Sequence, residues 1–315
     1  MTDDFYPPKP ELVEPKQKSS LSITIFSLVL FVLAFMLFFG DEINFIVYLI
    51  VVLLFHELGH LAFMKLFGYK NVRMLFVPLM GAFVQGKKQQ YSQRQSFFVT
   101  LAGPIPGIVI GTVLYIYGNQ FHSVWMVEIG LLFLLLNLIN LLPLDPLDGG
   151  QLFKLMVGGR TEMFLMIFAL VSSLAVIGLG WFMDSVIIMV FGFFMAFRVR
   201  ALQKQYLMHK DLAEEHIDYR VSYKLLTNRD FWKIKQVVLN HTPQLRKYID
   251  QVGDDEADPI IASQVNNVLT TPVKKDAGIM FKLLTLVVWL GAFAVPFALY
   301  KFVSLQWFLS TINFD

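Results

Sequence analysis

The sequence predicts an all-α polytopic membrane protein of about 6–7 transmembrane helices, with a short membrane-associated β segment near residues 72–88 and a small helical cytoplasmic domain. Three observations lead there. Hydrophobic residues make up 56% of the chain and charged residues 16%, against about 25% charged in an average globular protein, so the polar residues needed to wet a full surface are missing. The apolar residues fall in blocks close to the ~20 that one membrane crossing needs. The charges are segregated, because residues 199–277 carry 12 of the 26 basic and 11 of the 24 acidic side chains. A soluble enzyme of this size is excluded on these grounds. With a net charge of +2, no nucleic acid is expected as a partner. Cysteine is absent, which removes disulfides, thiolate metal sites and cysteine nucleophiles, and leaves the redox compartment open.

The elements follow in order. A polar N-terminal segment covers 1–20. It carries prolines and lacks the short basic stretch of a secretory leader, so no cleavable signal peptide is expected. The transmembrane core covers 21–198. Its hydrophobic segments run over 21–40 and, past the acidic link Gly40-Asp41-Glu42, to about Phe67. Residues 68–97 are mixed, with Lys70, Arg73, Lys87, Lys88 and Arg94 around an apolar stretch from Met74 to Val84. Further spans are expected at about 98–117, 124–142, 161–181 and 184–198, with Asp184 separating the last two. Residues 199–277 form the cytoplasmic soluble domain, with helices near 200–217 and from a cap at Thr227 or Asn228 to about Asn240. Within it Gly253 to Asp258 reads as an acidic loop. A C-terminal transmembrane helix at 278–303 and a tail at 304–315 complete the chain.

Short loops rich in lysine and arginine stay on the cytoplasmic side. Lys16 and Lys18, the 68–97 loop, Lys154, Arg160 and the residues from Arg198 onward all fall on one side if the chain crosses seven times. The opposite links, Asp41-Glu42, 118–123 and Asp184, hold no lysine or arginine, and Lys301 is the single dissenter. The expected protein is therefore integral and multi-pass, in a prokaryotic cell membrane, with its N-terminus and the 199–277 domain cytoplasmic.

The strongest chemical signal is His56-Glu57-Leu58-Gly59-His60, inside the second hydrophobic segment. On a helix, residues i and i+4 share a face, so both imidazoles can reach one ion. Glu57 is offset by about 100° and can stand beside the ion without binding it. From there a carboxylate can take a proton from water that zinc has acidified. A chance match arises in on the order of one chain in a hundred at ordinary residue frequencies. Three ionisable residues in an apolar span are costly, however, which favours a functional origin.

Two histidines do not complete a catalytic zinc site, which wants three protein ligands and an open position. His122 lies on an outer link, and His209, His216 and His241 lie in the soluble domain, where surface or packing roles suit them better. Asp148 is the better third ligand. It stands in the segment Asn140-Leu141-Leu142-Pro143-Leu144-Asp145-Pro146-Leu147-Asp148-Gly149-Gly150, at the cytoplasmic end of the fourth span. His56 lies ~20 Å along the second span from its outer end at 1.5 Å per residue, so the two depths agree. Pro143 and Pro146 break the helix there, and Gly149-Gly150 permits a tight turn.

These residues, with Leu101-Ala102-Gly103-Pro104 between them, make the chain resemble the site-2 protease family of intramembrane zinc metalloproteases over about residues 45–160. The resemblance implies one Zn2+ per chain held by His56, His60 and Asp148, with Glu57 as general base. It also implies that Asn140 helps hold the substrate or stabilise the oxyanion. The chain departs from the family pattern at Asp145, where a second proline is usual; Asp145 stands as a rival ligand, a partner behind the ligands or a loop carboxylate. The function implied is hydrolysis of peptide bonds in or near transmembrane segments of membrane proteins. The partners expected are transmembrane protein or peptide substrates and the lipid bilayer.

Other features carry two readings. Val72 to Gln85, with Pro78 and Gly81, reads either as strands beside the metal whose edge near Gly81 to Val84 holds an unwound substrate, or as an interfacial loop packed on the bundle. Gly103, Pro104, Pro106 and Gly107 suit a kink and close helix packing, and Asn137 an interhelical hydrogen bond. Two alternatives to a protease remain. A catalytically inactive scaffold would have lost Glu57 or a ligand, which this chain retains. A metal transporter would string polar residues along several spans, whereas here they concentrate in two segments.

Overall fold

The computed structural model describes residues 6–13, 20–40, 42–77, 81–88, 90–157, 162–270 and 273–298. Lys16, Lys18, Asp41, Pro78, Arg160, Lys301 and the 304–315 tail lie outside the described residues. Twelve α-helices are described: α1 (Ser20–Phe39), α2 (Ile43–Leu66), α3 (Gln93–Ala102), α4 (Pro104–Gln120), α5 (Val124–Asn140), α6 (Asp148–Val157), α7 (Glu162–Phe182), α8 (Val186–Glu214), α9 (Asn228–Asn240), α10 (Pro243–Val252), α11 (Asp254–Val268) and α12 (Ile279–Ala298). Strands β1 (Lys70–Val77) and β2 (Gly81–Lys87) form the antiparallel hairpin that the 72–88 composition suggests.

Four helical stretches are long and apolar enough to cross a membrane, namely 43–66, 93–120, 162–182 and 186–214, and 21–37, 124–140 and 279–295 form shorter apolar helices. Phe26, Leu37, Val109, Leu174, Phe193 and Val287 are among the many apolar side chains that these helices leave exposed. An apolar surface on that scale belongs in lipid, and the chain is an integral membrane protein.

The molecule divides into two compact units. One contains α1–α6, the hairpin and α12. In it α2 runs among α3, α4, α5 and the hairpin. Its closest approach is at Gly59, where a Cβ would stand 2.0 Å from the Ala102 carbonyl oxygen. The pair α4 and α5 is also close, because a Cβ on Gly111 would meet the Gly130 carbonyl at 2.8 Å. Small residues of this kind let apolar helices bring their backbones together where no hydrophobic force acts between them.

The hairpin's two margins differ. On β1, the Thr24 hydroxyl of α1 donates to the Met74 carbonyl at 2.7 Å, and the Phe76 amide donates to the Ser27 hydroxyl at 3.1 Å. Met74 and Phe76 sit opposite Val84 and Ala82 in the register. By strand alternation the main-chain groups of Ala82 and Val84 therefore face the outer margin of β2, where no strand pairs among the described residues.

The second unit contains residues 6–13, α7 and α8, and α9–α11. Here α9 buries Phe231, Ile234, Val237 and Val238 at helical spacing against Leu212 of α8 and Ala257, Ile261 and Val265 of α11. Thr227 caps α9 as expected, accepting from the Asp230 amide at 3.1 Å.

The span expected over 98–117 lies within the apolar helical stretch 93–120, which breaks at Gly103, after α3, before Pro104, lacking an N–H, opens α4. Two sequence readings are corrected. The helix of the sixth span does not end near Arg198, since α8 continues to Glu214 without a break; Arg198 and Arg200 are good helix formers and nothing in the sequence interrupts them. The acidic stretch read as a loop is the first turn of α11. Gly253, at φ +87°, makes the turn from α10, and acidic residues suit the positive end of a helix.

Candidate metal centre

One turn of α2 presents His56, Glu57 and His60, all buried. The two imidazoles point at each other through their Nε2 atoms, 3.1 Å apart. Asp148, the first residue of α6, brings Oδ2 to 3.1 Å from His56 Nε2 and 3.2 Å from His60 Nε2. The structure thus brings together two α2 imidazoles and a carboxylate 88 residues away.

The far side of each ring is committed. His60 Nδ1 lies 2.7 Å from the Val99 carbonyl, which can only accept, so Nδ1 carries the hydrogen. His56 Nδ1 lies 2.7 Å from Asn137 Oδ1. The Asn137 amide nitrogen donates to the Phe133 carbonyl at 2.7 Å, which fixes its oxygen towards His56. In their neutral form both histidines therefore turn an unprotonated Nε2 inward. Orientation of this kind by a partner behind the ligand is what metal-binding histidines generally require. Asn137 is fully buried. Sequence reasoning took it as a packing hydrogen bond and missed that its partner is a candidate ligand. Its spacing from Asn140, one turn earlier on α5, was the signal available.

Three electron-pair donors now converge with no hydrogen between them, which is repulsive unless a cation sits among them. A tetrahedral ion with bonds of about 2.0–2.1 Å separates its ligands by about 3.3 Å, and the contacts here are 3.1–3.2 Å. The donor set fits zinc. Gly103 keeps the space clear, since a Cβ there would lie 2.3 Å from His60 Nε2 and 2.9 Å from His56 Nε2. The Leu101-Ala102-Gly103-Pro104 stretch is thus more than a kink: its glycine is the wall of the site.

The Asp148 turn is held from several sides. Leu147 donates to the Leu144 carbonyl at 2.9 Å, and the Trp289 indole of α12 donates to the Leu141 carbonyl at 2.8 Å. A Cβ on Gly149 would fall 2.0 Å from the Leu141 oxygen, so that backbone can be packed only as glycine. Asp145 is buried but points elsewhere, to an ion pair with Lys154. Of its three readings, the second or third stands and the ligand reading does not.

Glu57 is 4% exposed, and its Oε2 is the one buried side-chain polar atom among the described residues with no hydrogen-bond partner. A carboxylate oxygen left this way is costly and is poised to receive a proton. Asn140 is half-buried and donates to the Leu136 carbonyl of its own helix at 3.1 Å. His122 is exposed at the α4–α5 turn, while His209 and His241 pair with Glu162 and Asp211.

A buried pair of histidines on one helix turn, joined by an aspartate from another, defines a membrane protein with a group of the His-Glu-x-x-His kind that could hold a metal ion. The family model for Peptidase family M50, the site-2 protease family, matches residues 44–128, which contain His56 to His60 and Gly103 and stop short of Asn137 and Asp148. Among solved structures, the site-2 protease from Methanocaldococcus jannaschii is similar at 23% identity and a TM-score of 0.45, over 56% of this chain and 86% of that chain. No curated protein matches. The family resemblance supports an intramembrane metalloprotease.

Proposed function

We propose that the chain is a multi-pass zinc metalloendopeptidase that hydrolyses peptide bonds in or near transmembrane segments of membrane protein substrates. The observation that carries this reading is the pairing of a three-ligand cluster, His56, His60 and Asp148, with the orphaned Oε2 of Glu57 beside it. Zinc, when bound, polarises a scissile carbonyl and makes a water molecule acidic enough to attack near neutral pH.

The chain's own residues do the rest. Val99 and Asn137 hold the two rings so that both Nε2 lone pairs face one point. Glu57 accepts the proton from the attacking water at Oε2 and then delivers it to the leaving amine. Asn140 steadies the substrate or the developing oxyanion once its amide leaves the Leu136 carbonyl. A helical substrate must unwind before its carbonyl can be reached, and the main-chain groups of Ala82 and Val84 on the outer margin of β2 offer hydrogen bonds to the unwound segment. The distribution of basic residues supports a cytoplasmic N-terminus and 199–277 domain, with water reaching the site from that face.

The test compares purified wild type with Glu57→Gln, measuring zinc content and cleavage of helical membrane substrates. Equal zinc with cleavage only by wild type is expected. Equal cleavage by the two, or wild type without metal, would overturn the assignment.

A further inference from the structure

Residues 6–13, Tyr-Pro-Pro-Lys-Pro-Glu-Leu-Val, have no helix or strand of their own, yet they make a dense set of polar contacts with the helical body of their unit. We infer that this body carries a recognition site for an extended, proline-flanked lysine, and that Tyr6–Val13 is its intramolecular ligand.

The site reads the lysine first. The Lys9 ammonium donates to the carbonyls of Tyr223, at 2.8 Å, Lys224, at 3.4 Å, and Leu226. These belong to the short 3-10 turn Tyr223–Leu225 and the residue after it; the Tyr223 carbonyl also accepts from the Leu226 amide at 3.3 Å, so Lys9 takes its second lone pair. An ammonium has three N–H groups and no acceptor, so three converging carbonyls match it in number and sign. The Tyr223 ring adds an aromatic face with its centre 5.3 Å from the nitrogen.

It reads the backbone next. The Trp232 indole donates to the Pro7 carbonyl at 2.8 Å, and the Tyr223 hydroxyl to the Pro10 carbonyl at 2.8 Å. Asn228 Oδ1 accepts from the Lys9 amide at 3.0 Å. A polyproline helix turns once in three residues and satisfies none of its own carbonyls. The carbonyls of Pro7 and Pro10 therefore face the same side, and both are taken. Three prolines hold the segment close to this conformation before it binds, which lowers the entropy lost on docking. Leu12 then packs on the core built around Phe231 and Leu212.

The receiving groups are held in place by the body itself. Thr227 caps α9 at Asn228, the Lys235 ammonium lies 4.5 Å from the Trp232 ring centre, and Phe231 meets the Tyr223 ring edge-on at 6.0 Å. Burial, and after it the Asp258 carboxylate, push the Tyr223 phenol up to about 12, so its hydroxyl remains a donor at any physiological pH. The site is a preformed receptor, and any chain with the same pattern competes for it.

The test uses the full chain in detergent and a fluorescent peptide copying residues 5–14. The peptide is expected to bind Lys9→Ala chain saturably and wild type roughly tenfold more weakly, because the tethered segment competes at a high effective concentration. Lys9→Ala in the peptide should abolish binding, and Lys9→Arg should weaken it roughly tenfold, since a planar guanidinium does not fit a three-carbonyl cage. Adding Trp232→Phe to the Lys9→Ala chain should weaken binding about fivefold by removing one hydrogen bond. In wild type, excess peptide should accelerate hydrogen exchange at the Lys9 amide. Binding that ignores the lysine, no binding to the Lys9→Ala chain, or Lys9 exchange untouched by excess peptide would overturn the inference.

Discussion

His60 and His209 are both buried imidazoles, and each gives one ring nitrogen to a main-chain carbonyl at 2.7 Å, His60 to Val99 and His209 to Val268. Each then faces a carboxylate with the other nitrogen, Asp148 at 3.2 Å and Glu162 at 2.7 Å. The difference is in what else arrives. Around His209 there is one ring and one carboxylate, paired at 2.7 Å, and Tyr219 stacks on the ring at 4.1 Å to close it off. Around His60 a second imidazole arrives as well, and one proton cannot bridge three acceptors. Similar local chemistry thus gives a structural pair at His209 and a candidate cation site at His60. The count of lone pairs decides which.

That contrast can be broken at its strongest point by removing a ligand. His56→Ala, His60→Ala or Asp148→Ala should each take zinc from about one per chain to background by elemental analysis, whereas Asp145→Ala should keep its zinc and lose thermal stability, about 3 kcal/mol for a broken buried pair. The reverse outcome would make Asp145 the third ligand. Glu57→Gln should leave zinc in place and slow cleavage by roughly 10²–10⁴-fold, the usual worth of a general base. Asn137→Leu should weaken zinc binding by about 10–100-fold in a chelator competition, because the His56 ring loses the acceptor that orients it. Smallest at the centre is His209→Ala, which should cost about 1–3 kcal/mol of stability and leave zinc content unchanged. A drop in zinc there would mean the two histidine sites are coupled after all.

Much of the centre was legible in the sequence. The spacing of His56 and His60 fixes a shared helix face, and charged residues in an apolar span are hard to explain otherwise. Asp148 was reachable because prolines and paired glycines mark a turn at matching depth. The hairpin was legible from the absence of helical charge pattern between Val72 and Gln85. Asn137 was not, because an asparagine in an apolar helix has the same sequence appearance whether it holds a ligand or a neighbouring helix. Gly103 was read for helix packing, since only coordinates show that its missing side chain is room for two imidazoles. The continuity of α8 past Arg198 was hidden because a drop in hydropathy marks an environment and not a helix end. The docking of Tyr6–Val13 was invisible for a different reason: its partners lie more than 200 positions away, beyond any periodicity.

The hydroxyls of Thr24 and Ser27 on the Met74 and Phe76 backbone have a consequence for self-association. With one flank of the hairpin sealed by its own chain, β-stacking between copies can proceed only through the other. Two molecules could join flank to flank, and the union would then offer no further template, so ribbon growth into fibres ends at a pair.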